Sequence, residues 1–187
     1  LAGTPIKVMT VASVNYNGPN FKNIHEAARV YADWLNAHGG INGHPLQVTL
    51  CDDKGDPTQG VACARQAISQ KMVAIIGSFT FSGAQIVPIL EKANIPWFGI
   101  CCPVAAQEFG SKMSFPIGSG LGVVAGQVLL AGKTCKKINI LDLDYPGAAF
   151  IETLTKNILK SLGASQKFGV HVKIPLTVGG DLSPAVA

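Results

Sequence analysis

Apolar runs rich in β-branched residues alternate along this chain with segments whose apolar positions recur every three or four residues. That alternation predicts an α/β fold, a parallel sheet wound on both faces by helices. The first strand is read over residues 6–12. After a loop holding Asn17, Gly18 and Pro19, apolar residues at Phe21, Ile24, Ala28, Tyr31 and Leu35 share one side of a helix. Gly39 and Gly40 end that helix, Asn42 and Gly43 form a tight turn, and 46–51 is the second strand.

Asp56 followed by Pro57 predicts a helix start, since Asp can cap free amides and Pro fits the first helical position. Val61, Ala64 and Ile68 mark its expected buried face. A third strand follows at 73–77. Ser82 is the expected cap of the next helix, whose inner stripe is Ile86, Leu90 and Ala93 and which Asn94 terminates. Residues 96–100 read as a fourth strand and 114–118 as a further short one. A Gly-rich helix over 121–131, a strand at 138–141, a helix with Phe150, Ile151, Leu154, Ile158 and Leu162 on one face, and a strand at 168–174 complete the pattern, with another helix opening from Asp181.

The boundary falls near residue 118, giving a doubly wound lobe over 1–118 and an incomplete second α/β lobe over 119–187. Two strands with one covering helix bury too little to stand alone, so a partner segment is expected, downstream or from another chain.

Composition narrows the function without deciding it. The 187 residues are 48% hydrophobic and 14% charged, with a formal net charge of +4. Lys and Arg are scattered, with only Lys133, Lys136 and Lys137 close together, so no nucleic-acid partner is expected. The longest apolar stretches fall well short of the roughly 20 residues that span a bilayer. The first residues show no basic region followed by an apolar core, which fits either a chain without an export signal or one whose signal was removed. Five cysteines without metal-ligand spacing argue against zinc. Cys51 and Cys63 are close enough in the expected fold for a local disulfide, with two buried free thiols as the alternative.

In open parallel sheets, ligands lie beyond the carboxyl ends of the strands. That rule selects the loops 13–20, 52–56, 78–82, 101–104 and 142–147. Ser78, Thr80 and Ser82 alternate there with Phe79 and Phe81 just ahead of a helix whose first amides can receive a carboxylate. No G-x-S-x-G elbow is present, and the four histidines fall away from these loops, so catalysis is not expected. Asp52 and Asp53 are read as loop residues that cap and solvate the turn. Gly120, Gly122 and Ala125 with Asp142 match a dinucleotide fingerprint, which keeps a nucleotide-dependent enzyme as the rival reading.

Three ordered motifs carry a resemblance: LNAHGGING at 35–43, DDKGDP at 52–57 and IIGSFTFSGA at 75–84. With the 142–147 loop and the stretch 179–187, they are similar to the type I periplasmic solute-binding proteins of the branched-chain amino acid transport group. The resemblance implies two α/β lobes closing on a solute, no cofactor, an extracytoplasmic location, and an ABC transporter permease as partner. Contact with a membrane would come only through that transporter or a lipid anchor. A ligand-sensing receptor domain of the same fold is the related alternative. Some relatives have a short disulfide where Cys51 and Cys63 fall. The implied ligand-binding residues are Asn17 and Asn20 in the first loop, Phe79, Thr80, Phe81 and Ser82 in the third, Cys101, Cys102 and Pro103 after the fourth strand, and Tyr145 from the second lobe. Pro103 offers neither hydroxyl nor amide hydrogen where amino-acid binders place a hydroxyl. A ring-bearing or aliphatic carboxylate stacked on Phe79 or Phe81 and Tyr145 therefore fits as well as an amino acid.

Overall fold

A computed structural model describes residues 1–100, 104–118, 120–145 and 148–175. The first sheet is parallel, in the order β2-β1-β3-β4, built from β1 (Ile6–Ala12), β2 (Leu46–Asp52), β3 (Ala74–Ser78) and β4 (Trp97–Gly99). Its central strands are buried on both faces, which is why they read as continuous apolar runs. Side chains alternate between the faces. Val8, Ala74, Ile76 and Phe98 pack toward α1 (Lys22–Ala37). Met9, Val11, Ile75 and Trp97 pack toward α2 (Pro57–Ser69) and α3 (Gly83–Lys92). The order reverses beside β1, so the loops after β1 and β3 leave in opposite directions and open a crevice at the carboxyl rim.

Several helix faces differ from expectation. On α1, Ile24 and Ala32 are buried while Tyr31 is 55% exposed, stacked on Trp34 at the surface. On α2 the buried face is Gly60, Cys63, Ala64 and Ala67, and Ile68 is exposed. Small residues win there because α2 packs closely on α3: a Cβ at Gly60 would stand 2.7 Å from the Ser82 Cβ. Asp56 does cap α2, accepting from the Thr58 amide at 2.6 Å. Ser82 precedes α3 but makes no side-chain cap. Asn42 and Asn94 take the left-handed backbone that their turns require.

The stretch expected as a strand at 114–118 is a single bridge, Ser114 to Trp97, with the Phe115 and Ile117 amides donating to the carbonyls of Trp97 and Gly99. Pro116 lies between those two amides with its nitrogen turned away from β4, so it bars a further strand on the outer side of this stretch. Between β4 and this stretch lies a short helix, α4 (Ala106–Gly110), where no periodicity was legible.

A second parallel sheet pairs β5 (Ile138–Leu143) with β6 (Phe168–Ile174). α5 (Gly120–Thr134) and α6 (Ala148–Ser161) share one core with it through Val128, Leu159 and Phe168. The helix expected from Asp181 lies outside the described residues. No helix among the described residues is long and apolar enough to cross a membrane.

Of the two pairings open for Cys51 and Cys63, the structure has the disulfide, with Cα atoms 5.9 Å apart. It ties β2 to α2 across 12 residues. Reduction is expected to lower stability by about 3 kcal/mol on the chain-entropy account of a short closed loop. Urea unfolding of oxidised and reduced protein measures this, and coincident midpoints would show that the bridge adds nothing.

Candidate functional site

The carboxyl rim is organised by two adjacent aspartates. Asp52 accepts from the amides of Val14 at 2.8 Å and Asn15 at 3.0 Å, and from the Lys54 amide at 2.9 Å. Burial alone would push its carboxyl up, but these donors outweigh it and hold the group below the ordinary carboxylate range. Asp53 is fully buried, which corrects its reading as a solvated loop residue. Its carboxylate accepts from Ser13 Oγ at 2.5 Å, the Gly55 amide at 3.1 Å, and Thr80 Oγ1. One side chain thereby joins the loops after β1, β2 and β3.

The segment after β3 continues the strand pairing as far as Phe79 and turns at 81–82 into α3. Phe79 keeps pairing with β1, its amide donating to Val11 at 3.1 Å. Ser78 Oγ accepts from the Val11 amide at 2.8 Å. Thr80 Oγ1, besides donating to Asp53, accepts from the Ser82 amide at 2.9 Å. The Ser82 side chain lies against Gly60 of α2. Thr80 and Ser82, the two hydroxyls expected to meet a ligand, are both buried against the protein.

The phenylalanines form an aromatic cluster. Ring centroids lie 4.7 Å apart for Phe21 and Phe79, 5.5 Å for Phe79 and Phe81, and 5.4 Å for Phe81 and Tyr145. Phe81 and Tyr145 are both buried, joined by Val104, Leu143 and Ala148. The Tyr145 phenol is pushed up by burial and by the nearby carboxylates of Asp142 and Glu108. Behind Tyr145 a cavity of about 380 Å³ is lined by Val104, Gly120, Val128, Asp142 and Thr155 among others.

Two of the expected contacts sit elsewhere. Asn20 is tied into its own loop, donating from Nδ2 to the Val14 carbonyl and accepting from the Lys22 amide, both at 2.8 Å. Asn17 is exposed on the same loop. Cys101, Cys102 and Pro103 lie outside the described residues.

Three features escaped the sequence reading. Phe21 joins the cluster from the start of α1, although its helical spacing had placed it on a core stripe. The amides of Gly83 and Ala84, at the start of α3, meet no acceptor among the described residues. Glu108 on α4 is 5% exposed, its Oε2 accepting from Val104 at 2.8 Å and Ala105 at 3.0 Å. Burial pushes its carboxyl up to about 7 against the pull of those amides. The signal for it was local: a glutamate three residues past Ala105 can reach back to the amides at a helix start.

The dinucleotide reading fails on topology. It needs a strand beside β5 leading into Gly120, and residues 113–117 pair with β4 of the other sheet instead. Among the described residues no three His, Cys, Asp or Glu side chains group as metal ligands.

The aromatic cluster and the start of α3 thus gather at the carboxyl rim of the parallel sheet, where ligands of such folds bind. The family model described as "Periplasmic binding protein" matches residues 12–187. The chain belongs to the periplasmic binding protein family. This family is one of binding proteins rather than enzymes. A curated relative, an "Amino acid binding protein" of Pseudomonas aeruginosa, is 30% identical over 144 residues, covering 72% of this chain and 38% of its own. A substrate-binding periplasmic protein from Ralstonia solanacearum superposes with a TM-score of 0.76 at 21% identity, over 97% of this chain and 52% of that one. An ABC-transporter solute-binding protein from Rhodopseudomonas palustris HaA2, solved with p-hydroxybenzoic acid, gives 0.72 at 20% identity, over 97% and 50%. The chain thus spans about half the length of these solved relatives, and less of the curated one.

Replacing Asp53 with alanine leaves Ser13 and Thr80 without their buried acceptor and is expected to cost about 2–3 kcal/mol. The check is a urea midpoint shift in this variant, and a shift under a few tenths of a kcal/mol would contradict the role given to Asp53.

Proposed function

We propose that this chain supplies the first lobe, residues 1–118, and the opening of the second, 119–187, of an extracytoplasmic solute-binding protein. Its partner is the permease of an ABC importer. The solute is a small carboxylate carrying a ring or a compact apolar group. The observation that carries this reading is the junction of Phe79, Phe81 and Tyr145 with the start of α3, where the Gly83 and Ala84 amides meet no acceptor among the described residues. Two donors that meet no acceptor among the described residues, at the positive end of a ten-residue helix, favour an anion. The flanking rings bury apolar area while the amides take the charge. The Rhodopseudomonas protein solved with p-hydroxybenzoic acid supports an aromatic acid. The name of the Pseudomonas relative favours an amino acid as the second reading. The Cys51–Cys63 disulfide supports an oxidising, extracytoplasmic compartment.

Capture without chemistry means saturable binding with no cofactor and no turnover. Titration calorimetry of the protein with 4-hydroxybenzoate and with leucine separates the two ligand readings. Binding of the aromatic acid is expected, weakened about tenfold or more by Tyr145→Ala, equivalent to roughly 1.4 kcal/mol or more. Leucine binding alone would favour the amino-acid reading, and unchanged affinity in the Tyr145 variant would remove the aromatic rim from the site.

A further inference from the structure

Glu108 is placed to do more than cap α4. Its carboxyl carbon stands 2.6 Å from the point where a Cβ on Gly83 would be. That puts the carboxyl carbon within about 5 Å of the Gly83 nitrogen. A side chain at position 83 would have to displace it, so glycine there is what lets the carboxyl lie against the first turn of α3. α3 and α4 pack together along this contact. The side chain is 5% exposed, and its Oε2 is held by the Val104 and Ala105 amides. A buried acid therefore borders the same helix start that offers its amides to a ligand.

We propose that Glu108 couples capture of a carboxylate solute at the α3 amides to the uptake of one proton. This rests on the reading of that helix start as the seat of the ligand's carboxylate. Two carboxylates this close in a buried setting do not both stay ionised, because each adds to the cost of charging the other. The ligand's carboxylate has the unpaired amides and the end of the helix dipole to itself. Glu108 has the Val104 and Ala105 amides and the Trp97 indole beside it, which together fail to offset its burial. The proton goes to Glu108.

Few other charges intervene among the described residues. α4 itself carries no second titratable residue. On α3 the charged residues are Glu91 and Lys92, in the last turns at the far end. β4 presents the neutral indole of Trp97. From the loop after β5, Tyr145 faces Glu108 and feels its charge, with Asp142 beyond it.

The sign follows from burial. A carboxyl raised to about 7 is protonated below that pH and ionised above it. Below about 7 the ligand meets a neutral Glu108 and affinity is flat. Above it, each binding event must first neutralise Glu108 with a proton taken from solution, and affinity falls up to tenfold per pH unit. The free protein follows the same linkage: the contribution of Glu108 to stability is fully present below its unfolded value and is lost as pH rises through about 7.

The test is calorimetric titration of the protein with 4-hydroxybenzoate at pH 7.5 in phosphate and in Tris, whose ionisation heats differ. The difference in heat is expected to give uptake approaching one proton per ligand. Between pH 6 and pH 8 the Kd is expected to rise about tenfold, and Glu108→Gln is expected to hold it within about twofold while keeping the affinity seen at pH 6. If the glutamine variant does not fold, the buffer comparison on the unmodified protein decides alone. Binding without proton exchange, binding with proton release, or the same pH profile in the glutamine variant would overturn the coupling and leave the carboxylate site standing. Absence of binding at every pH would overturn the carboxylate site and the coupling with it.

Discussion

A charge cannot remain in a protein interior unless donors surround it, and the rim of this sheet is arranged around one such charge. Asp53 sits fully buried at the end of β2 and draws in Ser13 from the loop after β1 and Thr80 from the loop after β3. Phe79 and Phe81, on either side of the inward Thr80, pack with Phe21 and Tyr145. Through the amide of Ser82, which donates to Thr80, the same bond sets where α3 begins. One satisfied carboxylate thus fixes both the loop that carries the rings and the residue from which α3 starts.

This arrangement separates support from contact. The Ser78 and Thr80 hydroxyls hold the loops, while on the proposed reading a solute would meet rings and main chain. Such a surface suits a flat or compact apolar acid, since rings supply area at little entropic cost and main-chain donors are already in place. Tyr145 brings the second sheet's loop into contact with Phe81 at 5.4 Å, so the same rings that would hold a ligand also join the two sheets.

The sheet was legible because its strands are buried on both faces and leave unbroken apolar runs. β1 and β6 fall where the pattern places them. Helix faces were less legible: on α2 the close approach of α3 favours Gly60 and Ala64 over the bulkier Ile68, and hydrophobicity alone points to the larger residue. α4 is too short to show a period. The alternation of Ser, Thr and Phe over 78–82 marked the right segment, but which set faces a ligand depends on the partner of Thr80, and Asp53 lies 27 residues away. Glu108 had a local signal in its spacing from Ala105, but its proximity to Gly83 is a tertiary contact that no local pattern shows.

The account turns on an anion resting at the start of α3. Amide hydrogen exchange at Gly83 and Ala84, followed with and without saturating 4-hydroxybenzoate, tests it most directly. The account predicts that both amides exchange at least about tenfold more slowly in the complex, as donors taken up by a bound carboxylate must. A complex that forms while both amides exchange as fast as in the free protein would contradict it.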